Sequence, residues 1–465
     1  MTIKNTLFGT LIILLLASSC KENSKQEVDL LITNASVLDL ETGTTTGGRL
    51  IAISGDTIRE VADMENRDQF EAPEVYDASD QIVMPGLWDM HVHFRGGDTL
   101  IQENKELLPL FLAHGITTVR DAGGDITPSV LEWREQIEKG ELAGPDIFTS
   151  GPKLDGANPA WPGSIVVADS SDIEKALDSL EALNVDYVKM YDGSISKEMF
   201  YGIIKAAEQR GMKTSGHMPL AANILEAAEY GLDGSEHLYY VLKSCSPKAD
   251  SLTQVDPGYG MMSEILATYD PELARQVFDQ LQKENVFITP TLFIGKTLSE
   301  ILEVDHSQDT LLQYVSSGIQ ETYRGRIESA KRARDAGSTM RQEMEKRSMQ
   351  VIKPMYDAGI PLLAGSDTGP FNSFVYPGSS LLGELEMLVE AGLTPQEALR
   401  TSVINGPLFF DLEDFYGSIA PGKMAHLLIL EKDPLKDIKN LRVPVAVIKN
   451  GKVYDHKKIQ EMINN

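Results

Sequence analysis

His91-Val92-His93 closes the apolar run Gln81 to Met90. In an extended strand, residues i and i+2 point to the same face, so both imidazoles project together from one strand end. Neutral imidazole is a common ligand of zinc-like metals, and this spacing suits adjacent positions on one ion. Such a pair also arises on half-exposed strands that bind nothing, so the reading turns on context. Four later segments supply context, each a short β-prone run ending in a residue able to serve a metal: Val185 to Lys189, Lys213 to His217, Gly234 to His237 and Pro361 to Asp367. Helix-period stretches such as Lys197 to Arg210 and Ala221 to Tyr230 lie between them. One strand plus one helix per step is a βα unit. Parallel strands in such units end on the same side of the sheet, so their C-terminal residues converge.

Each candidate also has a plainer reading. A lysine ammonium carries no free lone pair, and a lysine at a strand end is ordinarily solvent-facing. Here the turn-forming Asp192-Gly193 follows Tyr191 directly, which places Lys189 at the end of the fourth strand. His217 could be a satisfied core histidine, but its neighbour Gly216 and its strand-end position favour a ligand. Asp367 could cap a helix ahead of Thr368; its otherwise apolar or small strand favours the ligand role. Of the other histidines, His114 is expected to cap a helix before Gly115, and His306, His426 and His456 are assigned to the surface.

Three stretches carry a family resemblance: Met84 to His93, Thr117 to Gly124, and Ala364 to Thr368. Together they resemble the metal-dependent amidohydrolase superfamily, and the likeness extends over nearly all of the mature chain. The resemblance implies a distorted (β/α)8 TIM barrel with a binuclear metal centre of two divalent ions, zinc being expected. It implies that His91 and His93 bind the more buried ion, completed by Asp367. His217 and His237 would bind the more exposed one. Lys189 would be N-carboxylated, so that its carbamate bridges both. The implied reaction is attack on an amide carbonyl by metal-activated hydroxide, with Asp367 as general base and then acid. Prolidase-like dipeptidases and imidazolonepropionase-related members are the most similar grouping.

Substrate contacts are sought beside the ligands. Arg95 lies two residues beyond His93 and suits a carboxylate, because guanidinium binds carboxylates bidentately. It could equally be structural in its Gly96-Gly97 loop. Tyr191 shares a face with Lys189, Tyr239 and Tyr240 follow His237, and Trp161 stands in the loop Asn158 to Gly163. The substrate would be a small peptide or an N-acyl amino acid. Two other classes stay open: a mononuclear deaminase or cyclic-amide hydrolase, and a lipid-anchored binding protein without catalysis. Deaminases of the resembled superfamily generally lack the bridging lysine, and a complete ligand set would be superfluous in a binding protein.

The chain has 465 residues, which fits one large barrel plus a small domain. Its net charge of −27 repels phosphate backbones and argues against nucleic acid as a partner. An anionic substrate would therefore need local positive charge. Strand-like segments over 28–83 and 411–465 are expected to pair into one small β-sandwich, with the barrel over 84–410 inserted between them. A charged, helix-prone insertion at about 295–357 reads as a cover over the barrel mouth, where loops select substrates. Homo-oligomerisation is left open.

The N-terminus reads as a targeting segment. Leu7 to Ala17 is apolar but too short to span a bilayer, and Leu16-Ala17-Ser18-Ser19-Cys20 resembles a bacterial lipobox. This implies a signal peptide over 1–19, lipidation of Cys20, a polar tether over 20–27, and a location on the bacterial cell envelope at the periplasmic or outer-membrane face. An ordinary secretory peptide is the alternative. Cys245, the only other cysteine, would then lack an intrachain partner. Metabolic labelling with a fatty-acid probe should tag the wild-type protein, and Cys20→Ser should abolish the label. A soluble, unlabelled wild type would contradict the lipobox.

Overall fold

The computed structural model describes residues 25–464. The Cys20 and signal-peptide expectations lie outside them. Leu87–Val92, Ile116–Asp121 and Asp146–Thr149 form one parallel sheet, the first three strands of a barrel. Val188–Met190, Thr214–Gly216, Gly234–Glu236 and Phe287–Thr289 are the fourth to seventh strands, in a second parallel sheet extended by Leu154–Asp155 and Ile165–Val166. The eighth position is held by residues 361–368, which make only isolated parallel bridges, Ile288 with Leu362 and Val92 with Thr368. At the opposite seam Asp186 N donates to Thr149 O (2.9 Å). The ladder is therefore interrupted, as a distorted barrel requires.

Small residues explain how closely the strands approach. A Cβ on Gly365 would lie 2.7 Å from both His91 Cβ and Thr289 Cγ2, so only glycine lets the eighth segment pass between its neighbours. The surrounding helices follow their local signals. Lys197–Arg210 starts where Ser196 Oγ accepts from Met199 N (3.2 Å) and stops at Gly211, whose φ of 67° is left-handed. Its buried face is Phe200, Tyr201, Ile203, Ile204 and Ala207. Thr394 and Glu397 form a capping box at the start of Pro395–Val403.

The two chain ends meet in one mixed sheet of eight strands, where Leu427–Leu430 pairs antiparallel with Ile82–Pro85. The expected sandwich thus takes the form of a single continuous sheet. Its side chains alternate between its two faces. Met84, Leu428, Leu430 and Val447 pack into the barrel's core, while Val83, Leu427, Ile429, Ala446 and Ile448 pack with Leu30, Ile32 and Ile51. Asn450 and Gly451, both with positive φ (51° and 67°), turn the last hairpin. No helix among the described residues is long and apolar enough to cross a membrane.

Two histidine assignments need correction. His426 is buried, with Nδ1 3.6 Å from Asp146 Oδ2 and its ring against Tyr416, because its strand seals the base of the barrel. His306 is half-buried and stacks on Phe374 with centroids 3.9 Å apart. His456 is exposed, and His114 ends the helix Leu108–Ala113 with Nδ1 2.7 Å from Leu110 O.

The first barrel strand is tied to the helix Pro395–Val403 through one hydroxyl. Trp88 N donates to Ser402 Oγ (2.8 Å), which donates to Trp88 O (2.7 Å). Ser402→Ala would leave both buried backbone groups unpaired, costing about 1–3 kcal/mol. A lower denaturation midpoint, with kcat retained, is the expected result; an unchanged midpoint would contradict it.

Candidate active site

His91 and His93 end the first strand, and their Nε2 atoms stand 3.2 Å apart. Asp367 Oδ1 is 3.2 Å from His93 Nε2 and 3.5 Å from His91 Nε2. The tautomers follow from what the far nitrogens face. His91 Nδ1 lies 2.6 Å from Glu236 Oε2. Burial works to raise the Glu236 pKa, but Arg120, Lys189 and His91 hold it well below the usual range, so it is an ionised acceptor. His93 Nδ1 faces Gly123 O at 3.3 Å, which can only accept. Both Nδ1 atoms therefore carry the proton. Burial also lowers the pKa of both rings, so neither takes a second proton. Two bare nitrogen lone pairs and a carboxylate oxygen are thus pressed together in a buried site. A cation resolves that repulsion, and this donor set is one a zinc-like ion accepts.

His237 follows the sixth strand and adds a further donor. Its Nδ1 is 2.6 Å from Thr291 Oγ1, and its Nε2 is 3.8 Å from Asp367 Oδ2. Burial lowers its pKa to about 4. His91, His237 and Asp367 each offer one ligand atom, all within 4.8 Å of one another. His237, Thr291 and Asp367 have φ of 61°, 51° and 56°, a left-handed backbone that costs non-glycine residues energy. The chain bends out of strand geometry where it must aim these side chains inward.

Lys189 and His217 border the same centre. Lys189 is fully buried, and its Nζ makes no hydrogen bond; Glu236 Oε1 is 3.4 Å away. Burial draws its pKa down to about 8, which leaves an appreciable fraction of neutral amine near pH 7. His217 packs 4.7 Å from His237 and 4.5 Å from Tyr191 by ring centroids. Its buried Nδ1 has no partner, and burial holds its pKa well down. Neither nitrogen has a hydrogen-bond partner, which fits residues able to serve as metal ligands.

A cavity of about 490 Å³ opens onto the centre, lined by His217, His237, Asp367, Tyr191, Tyr239 and the helices of the insertion. Arg95 and Trp161 stand in its wall rather than its lining. Arg95 is 4% exposed, its guanidinium lies 4.1 Å over the Trp161 ring, and its Nε donates to Pro370 O (2.9 Å). Tyr240 is buried and bonded to Asp192 Oδ2 (3.3 Å).

Sequence reading missed the residues that orient these side chains. Glu236 receives His91, Arg120 (Nη2 at 2.8 and 3.1 Å) and Ser215 Oγ (2.6 Å). Arg120 also donates through Nε to Met90 O (2.6 Å). Strict strand alternation would send Glu236 away from His237; the left-handed turn at His237 lets both face inward. Thr291 gave no signal in the sequence.

Comparison with known proteins agrees with this geometry. Ochratoxinase of Aspergillus niger is 24% identical over 415 residues, covering 80% of this chain and 75% of that protein. Among solved structures, bottromycin amidohydrolase superposes with a TM-score of 0.72 at 20% identity, over 93% of this chain and 88% of its own. A putative prolidase from Bifidobacterium longum gives a TM-score of 0.66 at 20% identity, over 94% and 98%. The model of the amidohydrolase family matches residues 82–454. That span takes in the whole barrel and the strands that close the terminal sheet, so the chain belongs to the amidohydrolase family and is a hydrolase acting on carbon–nitrogen bonds.

Proposed function

We propose that this protein hydrolyses the amide bond of a small peptide or N-acyl amino acid at a binuclear centre bridged by N-carboxylated Lys189. The observation that carries the reading is the close approach of the His91 and His93 Nε2 atoms to each other and to Asp367, with the buried Nζ of Lys189, which makes no hydrogen bond, bordering the same centre. His91, His93, Asp367, His217, His237 and the Lys189 carbamate would hold two divalent ions, zinc being the expected metal. When bound, such ions polarise a carbonyl and bring the pKa of water from about 15.7 towards roughly 7. The names of the ochratoxinase and prolidase relatives are consistent with amide cleavage.

The chain's own groups do the rest. A neutral Lys189 amine attacks carbon dioxide and loses a proton, giving the anionic carbamate; burial favours the neutral amine this requires. Asp367 takes the proton of the attacking water and returns it to the leaving nitrogen. Asn372 Nδ2 holds it for that task, donating to Asp367 Oδ1 (2.7 Å) and to its backbone carbonyl (2.6 Å). Tyr191 and Tyr239 border the cavity where the amide would lie.

Lys189→Ala removes the bridge and should lose most bound metal and nearly all activity, with partial rescue by a small carboxylic acid. Wild-type metal content in that variant would refute the bridge. Asp367→Asn keeps the shape but cannot carry the proton, and kcat should fall by about 10²-fold or more. An unchanged kcat at neutral pH would remove Asp367 from the mechanism.

A further inference from the structure

The helical insertion puts positive charge into the cavity of a strongly acidic protein. Arg326, on the helix Arg324–Asp335, and Arg341, on Met340–Asp357, both line it. Arg341 is half-buried, yet it makes no hydrogen bond or ion pair with any described residue. Arg326 makes one hydrogen bond, Nη2 to Asn372 Oδ1 (3.3 Å), and Asn372 in turn holds Asp367. Burial, and secondarily the nearby Arg326 charge, lowers the Arg341 pKa from its ordinary value. None of the carboxylates that also line the cavity is ion-paired with either arginine: Asp367 faces the histidines and accepts from Asn372. Asp192 accepts from Tyr259 (2.6 Å) and Tyr240 (3.3 Å), and Glu345 accepts from Ser299 Oγ (2.8 Å).

Two unneutralised guanidiniums are costly in a partly desolvated site unless an anion joins them. Beside them the cavity wall is apolar and pliant: Leu298, Met340, Met344, Met349 and Met387. Unbranched methionines adapt to varied shapes, so this wall suits a bulky apolar group without fixing its outline. We infer that the insertion builds a carboxylate subsite from Arg341 and Arg326 beside a methionine-lined apolar compartment, selecting substrates that carry a free carboxylate together with a large apolar group. This rests on the amide-hydrolase reading above. It assigns anion recognition to the cavity lining, since Arg95 is already engaged with Trp161 and Pro370.

The test separates the subsite from catalysis. Binding of 4-phenylbutyrate and of its neutral analogue 4-phenylbutanamide to the zinc-loaded protein is measured by calorimetry, for wild type, Arg341→Met and Arg341→Lys. Wild type should favour the acid by about 10-fold or more. Arg341→Met should lose most of that preference while binding the amide as before, and Arg341→Lys should retain part of it. Equal affinity of wild type for acid and amide, or an undiminished preference in Arg341→Met, would overturn the subsite. Hydrolysis of N-benzoyl-leucine and its carboxamide is read in parallel. Turnover of neither by wild type would count against the amidase reading and leave the binding result standing. Turnover of both, with Arg341→Met slowing them equally, would overturn the subsite alone.

Discussion

The structure depends on one electrostatic constraint: the Nε2 atoms of His91 and His93 and a carboxylate oxygen of Asp367 are forced together at the C-terminal mouth of the barrel. Glu236 sets this up. Held ionised by Arg120, it takes the Nδ1 proton of His91 as a hydrogen bond and so turns the Nε2 lone pair toward His93 and Asp367. A buried carboxylate is expensive, and breaking such a pair costs about 3–5 kcal/mol. The expense is tolerable here because Arg120, Ser215 and His91 satisfy both oxygens of Glu236.

The fold is arranged around that constraint. Glycine at 365 lets the eighth segment lie against the strand that carries both histidines, so Asp367 reaches their nitrogens across what would otherwise be a full side chain's width. Left-handed residues at His237, Thr291 and Asp367 release the chain from strand geometry at the points where these side chains turn inward. The terminal sheet closes the opposite end, and its alternating faces join the barrel core to a core of its own. Stability and chemistry are thus placed at opposite ends of the barrel.

Much of this could be read from the chain. His91-Val92-His93 after an apolar run, and later strand ends at Lys189, His217, His237 and Asp367, encode their convergence in local pattern, because strand alternation and βα order decide where they point. Arg95 shows where such reading stops. Its spacing from His93 suggests a contact with substrate, but whether it faces the cavity or stacks on Trp161 depends on a loop far along the sequence. Glu236 and Thr291 were illegible for the same reason: each acts through a neighbour distant in sequence. His426 was misplaced because an isolated histidine before an apolar strand gives no sign of the barrel base that covers it.

The central claim is that this cluster of unprotonated donors is a cation site with room for two ions. The most direct measurement is the metal content of wild-type protein, reconstituted with zinc in bicarbonate buffer and analysed by elemental mass spectrometry. The account predicts two zinc ions per chain, the second dependent on bicarbonate. One ion per chain regardless of bicarbonate would contradict the bridged centre, and none would contradict the cation site itself.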